Sequence, residues 1–434
     1  MAFSAALSGL NAAQNNLSVT GNNIANANTV GFKKSRSEFV DVYASSLAGV
    51  SKTTAGAGVR VANVAQQFLQ GNLQFTDNNL DMGISGEGFF VLAKSPTETN
   101  DRSYTRSGEF KLDQDGYVVN NQGQAMLAFR PNGSTVADGF STGVMQPIQI
   151  NTIAGKPQAT EQVKFTVNLD ASEPTVALPF DRSDSDTYSS QTSATLYDSF
   201  GSSHILTTYF VNTGVDPGDN QPTWNVFHYI DDTLVPVVDS GGNSNDFGVL
   251  KFNPSGNLSA PVNADGIVDG LFTLADHPVA PATGANDIAI GRMSYANSTQ
   301  FNQRFSVNDL KQNGLPAGQL SGIDTDDEGI IFARFSNGGS EPIGQVALVR
   351  FSNPQGLSKL GDTTWGQSAS SGESISGAPG SNNFGLIQAG ALENSNVDLS
   401  AQLVNLIVAQ QAYQANAQTI TTENSIMQTI LNIR

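Results

Sequence analysis

Cysteine is absent from all 434 residues, which excludes disulfides and thiolate metal sites. Charge is scarce as well. Only 14% of residues are charged, against roughly 25% in an average soluble domain. Gly, Asn, Ser and Thr fill the space, a composition suited to turns and short strands. The charge that remains leans acidic, with 39 Asp and Glu against 21 Lys and Arg. A net charge of −18 argues against nucleic acid or an anionic membrane surface as partner. No run approaches the roughly eighteen apolar residues of a membrane-spanning helix, so membrane insertion is not expected. The N-terminus lacks the basic residues and contiguous apolar stretch of a secretory signal, and any export is expected to proceed without a cleaved signal. Proline is missing from residues 1–95 and again after Pro379, so both ends read as uninterrupted segments.

What the ends do contain is periodic. Met1 to Phe32 carry no charged side chain, and Leu399 to Arg434 carry only Glu423 and Arg434. Phe3, Leu10, Leu17 and Ile24 recur every seven residues with Leu7 on their face, while Leu399, Leu406, Tyr413, Ile420 and Met427 form a second heptad series beside Leu403, Ala417 and Leu431. That spacing predicts two long amphipathic helices. Solvated helices usually carry Lys and Glu on the outer face. These carry Asn, Gln, Ser and Thr, which predicts that their polar faces meet other protein.

At this length a single domain is not expected. Two Ser/Gly/Ala-rich stretches, Leu47 to Gly58 and Gln367 to Asn383, lie symmetrically inside the terminal helices and read as flexible connections. The interior reads as strands. Val163, Phe165, Val167 and Leu169 alternate with polar residues, as a half-buried strand requires. Asp115-Gly116, between Phe110–Leu112 and Tyr117–Val119, suits a tight hairpin. Further β-like runs are Gly88–Leu92, Ile205–Val211, Trp224–Tyr229, Leu234–Val238, Ile330–Phe335 and Val346–Phe351. The fold class is therefore α+β, mainly β: paired terminal helices in a coiled-coil-like inner domain with two nested β-rich domains outside it.

Candidate chemistry is sparse. His204, His228 and His277 lie apart without metal-ligand spacing, and no GxSxG-type elbow occurs. Asp324-Thr325-Asp326-Asp327-Glu328-Gly329 imitates the start of a calcium loop, but the twelfth position, which needs a bidentate Glu, is Phe335. An acidic turn is the better reading. Gly83, Gly86 and Gly88 precede a strand, whereas a phosphate loop precedes a helix. Lys33, Lys34 and Arg36, the only basic cluster, read as a solvated loop. No catalytic, cofactor or metal site is expected. The Asn run Asn22-Asn23-Ile24-Ala25-Asn26-Ala27-Asn28-Thr29-Val30-Gly31-Phe32 exceeds what a helix cap needs, and buried Asn can fix the register of packed helices.

LSGLNAAQNNLSVTGNNIANANTVGFKKSRSEF, Leu7 to Phe39, resembles the opening signature of the bacterial flagellar rod and hook axial proteins. ALENSNVDLSAQLVNLIVAQQAYQANAQTI, Ala391 to Ile420, is similar to their closing signature, and Leu80–Leu92, Tyr104–Gly123 and Ala347–Trp365 resemble their inner globular domain. Gln411 departs from the family, where many relatives carry Arg. Length and an insertion of about 150 residues, with Thr195–Gly201 resembling an outer domain, favour the hook branch over the shorter distal rod proteins. A distal rod or hook-associated junction protein is the runner-up, and a secreted β-rich enzyme or adhesin is the alternative from another class.

The resemblance implies a structural subunit, not an enzyme, that polymerises into a curved flexible tube carrying torque from rod to filament. Its implied partners are copies of itself, the distal rod protein, the hook cap, the hook–filament junction proteins and the flagellar type III export apparatus. No cofactor is implied. The implied organisation is residues 1–30 with 396–434 as the helical inner domain, 31–75 with 366–395 as linkers, 76–147 with 301–365 as an inner β domain, and 148–300 as an outer β insertion. The packing residues are Phe3, Leu7, Leu10, Leu17, Ile24, Leu399, Leu403, Leu406, Tyr413, Ile420, Met427 and Leu431. Asn22, Asn23, Asn26, Thr29, Gly31 and Phe32 are the family-motif positions. The helices are expected to be disordered in the lone subunit and to fold against neighbours.

Overall fold

The computed structural model describes residues 2–42, 56, 58–150, 155–177, 179–238, 242–263, 265–279 and 284–432. The flexible connection expected at Leu47–Gly58 falls outside the described residues except for Gly56 and Gly58. The chain divides into two compact units, the first made of residues 1–151, 322–334 and 340–434, the second of 152–321 and 335–339.

In the first unit, helix α1 (Ala2–Ala25) and helix α2 (Leu399–Asn432) are the terminal helices expected from the heptads. Asp398 starts α2 by accepting a hydrogen bond from the Ala401 amide at 3.1 Å, an N-cap that satisfies one orphan donor. Between the helices the unit is a set of antiparallel strands around Phe89, Val91, Tyr104, Val349, Phe351 and Trp365. Those rings meet edge to face, with Phe89 5.7 Å from Trp365 and Tyr104 4.8 Å from Phe351, the geometry that ring quadrupoles favour.

Within the segments 31–75 and 366–395, expected as linkers, many of the described residues form paired strands. Ser35–Asp41 pairs with Val59–Gln66, Leu73–Phe75 with Ala391–Glu393, Met82–Ser85 with Leu386–Ala389, and Leu348–Phe351 with Ser374–Gly377. Two of these ladders join residues from opposite ends of the chain. Their hydrogen bonds are nonlocal, so a Ser/Gly-rich composition read locally conceals them. The two turns behave as composition suggested. Asp113 Oδ1 accepts from the amides of Asp115 and Tyr117 on either side of Gly116, which has φ +81°, and Asp326 Oδ1 accepts from the Ile330 amide at 2.8 Å. The acidic residues at 324–329 thus serve a β-turn.

The second unit is a sandwich of a seven-stranded and a six-stranded sheet. Val163, Phe165, Val167 and Leu169 from one face Leu206, Phe210, Val226 and Ile230 from the other. Residues 301–321, expected in the inner β domain, belong here, because Ser306–Gln312 pairs antiparallel along Gln162–Asp170 and Thr299–Phe301 pairs parallel to it. Phe180 lies on the outer face of the six-stranded sheet, stacked 4.1 Å from Phe227 and beside Tyr209 and Tyr229.

All three histidines are buried in this second unit. His204 sits between Asp198 and Asp231, and His277 bridges to Ile288. His228 is enclosed by the sandwich core, with Nδ1 3.3 Å from Thr208 Oγ1, and burial lowers its pKa to about 3. Below pH 6.5 the unfolded chain binds a proton there that the folded chain refuses, so stability falls as pH falls. Acidification from pH 7 to 5 is expected to remove about 2 kcal/mol from this unit, with burial of His277 acting in the same direction. Melting curves of wild type and His228→Leu at both pH values check this, since the variant is expected to lose most of the pH dependence.

Candidate assembly interface

The two helices run antiparallel. Gly9 of α1 packs on Asn416 of α2, where an added Cβ would come within 2.5 Å of the amide oxygen. Two heptads further along, the Asn23 amide donates to Gln402 Oε1 at 3.2 Å. The buried residues of α1 are Ala6, Ala12, Ala13, Thr20 and Asn23, and those of α2 are Gln402 and Ala409. Ala6, Ala13 and Thr20 keep a seven-residue spacing, as do Gln402, Ala409 and Asn416. The seam within one chain is therefore built from small and amide side chains. Small side chains let two helix backbones approach closely.

The large apolar heptad residues border that seam, spaced three and four residues from its buried positions. Leu10, Leu17, Ile24, Leu406 and Ile420 are half-buried, whereas Phe3, Leu7, Leu399, Leu403, Tyr413, Met427 and Leu431 are exposed. Val404, Ile407 and Val408 are more than half exposed on a further face of α2. With Gly9 against Asn416 and Asn23 against Gln402, α1 reaches only as far as about Glu423. The last turns of α2 overhang it, with Ile426, Met427, Ile430 and Leu431 between 49% and 72% exposed. Clustered exposed apolar side chains of this kind are typical of interaction sites.

The motif residues hold the helical end to the strands. Asn23 uses both ends of its amide on Ser35, donating to the carbonyl at 2.8 Å and accepting from the N–H at 2.9 Å. Thr29 Oγ1 donates to Asn26 Oδ1 at 3.1 Å, and Asn26 donates to the Asn22 carbonyl at 2.9 Å. Asn22 is exposed and, with Asn26, Thr29 and Phe32, lines a polar cavity of about 420 Å³. Gly31 has φ +70°, and its Cα lies so near the Arg106–Ser107 peptide that a Cβ would stand 2.4 Å from the Ser107 nitrogen. Only glycine fits there. Its N–H donates to the Glu393 carbonyl at 2.7 Å.

Lys33, expected in a solvated loop, is fully buried. Its ammonium lies 2.5 Å from Glu393 Oε1 and donates to the Leu69 carbonyl at 2.8 Å. Arg106 reaches the other carboxylate oxygen at 3.3 Å and the Gly86 carbonyl at 2.9 Å. The Gly71 amide donates to Glu393 Oε1 at 2.7 Å, so two buried cations share one carboxylate. Burial pushes Lys33 and Arg106 below their ordinary pKa values, and the Glu393 charge opposes that shift. Beside this clasp, Asn396 accepts from the Lys34 amide at 2.8 Å and donates to the Gln67 carbonyl at 2.7 Å. Residue-type reasoning missed Lys33, Arg106 and Glu393. The signal was their position inside the quoted N-terminal, inner and C-terminal motifs. Among the described residues no group of His, Asp and Glu has the arrangement of a metal site.

Family profiles cover these same segments. Residues 3–33 match the flagella basal body rod protein profile, 83–170 the flagellar hook protein FlgE/F/G D1 domain, 168–315 the flagellar basal body protein FlaE D2 domain, and 388–433 the flagellar basal body rod FlgEFG protein C-terminal profile. Over its entire length the chain is 38% identical to the whole flagellar hook protein FlgE of Escherichia coli (strain K12). The chain belongs to the flagellar hook protein FlgE family. The Borreliella burgdorferi flagellar hook protein FlgE is 32% identical over 99% of this chain and 98% of its own. A solved Helicobacter pylori flagellar hook protein FlgE2 is 17% identical, covering 74% of this chain and all of its own, at a TM-score of 0.49. The clasp thus joins Lys33, at the end of the N-terminal basal body rod profile, to Glu393 in the C-terminal one.

Proposed function

We propose that this chain is a structural subunit of the bacterial flagellar hook, self-assembling into a curved, flexible tube that works as a universal joint and passes torque from rod to filament. Full-length similarity to proteins named flagellar hook protein supports the family role. The observation that carries the polymer is the division of labour on the helices. Small side chains close the seam within a subunit, while Phe3, Leu7, Leu399, Leu403, Tyr413, Met427 and Leu431 stay exposed and the other large heptad residues are only half-buried. Phe3, Leu7, Leu10, Leu17, Ile24, Leu399, Leu403, Leu406, Tyr413, Ile420, Met427 and Leu431 then pack against neighbouring copies. Helices with almost no ionised side chains can pack so without burying charge, which costs several kcal/mol per ion. The contact repeats head to tail without closing, as a helical tube requires.

The partners in this reading are further copies, the distal rod protein, the hook cap, the hook–filament junction proteins and a type III export apparatus that accepts the chain without a cleaved signal. The role is mechanical and not catalytic. Concentrated subunit is expected to form curved tubes in electron micrographs without added cations. Amides of residues 5–24 are expected to exchange fast in dilute subunit and slowly in the tube. Subunit that stays monomeric at every concentration, or amides already protected when dilute, would count against the reading.

A further inference from the structure

The second unit is strongly acidic, yet Lys164, Arg292 and Lys311 gather at one place on it. They line a shallow concavity of about 420 Å³ together with Gln162, Ser294 and Asn313. Lys164 stands directly opposite Lys311 on the neighbouring strand, and Gln162 opposite Arg292 on the other side. Val163 and Phe165 point into the core, so alternation places all three cations on the outer face of the seven-stranded sheet. Like charges directly opposite on adjacent strands destabilise a sheet. Asp309 is shared between the two lysines, 3.5 Å from Lys164 and 3.3 Å from Lys311. Asp269, the other carboxylate of the concavity, accepts the Leu271 amide at 3.1 Å, and Arg292 has no acidic partner among the described residues. The Lys311 side chain is 73% exposed. The site therefore holds surplus positive charge within reach of a partner.

The opposite face of the same sandwich carries the complement. The loop after Phe180 holds Asp181, Asp184 and Asp186, all exposed. Its one basic residue, Arg182, folds down onto Asp232 and the Tyr229 ring, which leaves the three carboxylates facing outward. Phe180, stacked on Phe227, pins the loop to the outer face of the six-stranded sheet. Local turns stiffen it, with Asp184 Oδ1 accepting from the Asp186 amide at 3.1 Å and Asp181 Oδ1 from the Ser183 amide at 2.9 Å.

We infer that the basic concavity at Lys164, Arg292 and Lys311 receives the acidic loop Asp181–Asp186 of the next copy of this chain. The inference rests on the homopolymer reading and adds a specific contact between outer units. Complementary patches on opposite faces of one sandwich stack front to back, the arrangement an open, non-closing lattice needs. In a chain of net charge −18, such a patch also turns general repulsion between neighbours into attraction at one register. Exposed ion pairs are weak and screened by salt, so a contact of this kind can slide when the tube bends.

The test uses the full chain. Lys164→Glu with Lys311→Glu, and separately Asp184→Lys with Asp186→Lys, are each expected to raise the critical concentration for polymerisation by about tenfold at low salt. The four changes combined in one chain are expected to bring it back to within about threefold of wild type. Should the lysine reversal fail to fold by circular dichroism, Lys164→Gln with Lys311→Gln is expected to move the critical concentration the same way by about threefold. Polymerisation of either pair at the wild-type concentration overturns the contact, as does a combined variant no better than its parents. A wild-type chain that never polymerises would sink the hook reading itself, and the contact with it.

Discussion

Replacing Glu393 with Gln is expected to destabilise the first unit by about 3–5 kcal/mol, the usual cost of stripping one partner from a buried ion pair. The change is nearly isosteric, so little of that loss comes from packing. It comes from leaving two cations, Lys33 and Arg106, in a site from which water is excluded. Glu87 interacts with Arg106 but has no direct ion pair with it among the described residues. The pH dependence has a definite sign. Without Glu393 nothing comparable opposes the burial that already lowers Lys33 below 10.5. The unfolded chain then binds a proton that the folded one sheds, and stability rises with pH toward 10.5. Urea titrations at pH 7 and pH 9.5 check both parts. A loss below about 1 kcal/mol at pH 7, or a deficit that grows on the alkaline side, would show that the clasp is not the electrostatic centre described above.

Leu406→Asp or Ile420→Asp is expected to abolish polymerisation while the β sheets of both units keep their melting transitions. Each residue is only half-buried where the two helices pair, which leaves part of its apolar surface for a neighbouring copy. An aspartate there costs little in the subunit because water still reaches it. Between packed helices the same carboxylate would be desolvated without a partner, at several kcal/mol per copy. Because every subunit repeats the defect, the penalty applies at each step of growth. Sedimentation of purified variant, with circular dichroism to follow folding, separates the two outcomes. Tubes of normal yield from either variant would place the apolar heptads outside the contact surface.

The sequence made the helices legible because a seven-residue period over charge-free segments has few other meanings. The β-strand at 163–169 was equally plain, since alternation is local. What stayed hidden was nonlocal. Leu73–Phe75 and Ala391–Glu393 are unremarkable tripeptides until they meet, and Ser374–Gly377 sits in a stretch whose composition suits a linker. Lys33 escapes a local reading for the same reason. A lysine beside another lysine and an arginine looks solvated, and only the arrival of Glu393, 360 residues away, makes burial tolerable. The helix seam shows a different limit. Hydrophobicity drew attention to Leu10 and Leu406, while the contact within the chain runs through Ala6, Ala13 and Ala409, whose small size carries almost no periodic signal.

The clasp also sets a clock. Lys33 and Arg106 lie in the first quarter of the chain, and their shared counter-charge lies at position 393. A chain emerging from its N-terminus, whether from a ribosome or from a narrow conduit, therefore spends most of its passage with both cations lacking the anion they need to be buried. The strands at Ala391–Glu393 and Leu386–Ala389 are delayed with it, since their partners wait at Leu73–Phe75 and Met82–Ser85. The first unit cannot close early around an incomplete chain. Its last tenth is what seals it, and α2 follows immediately behind.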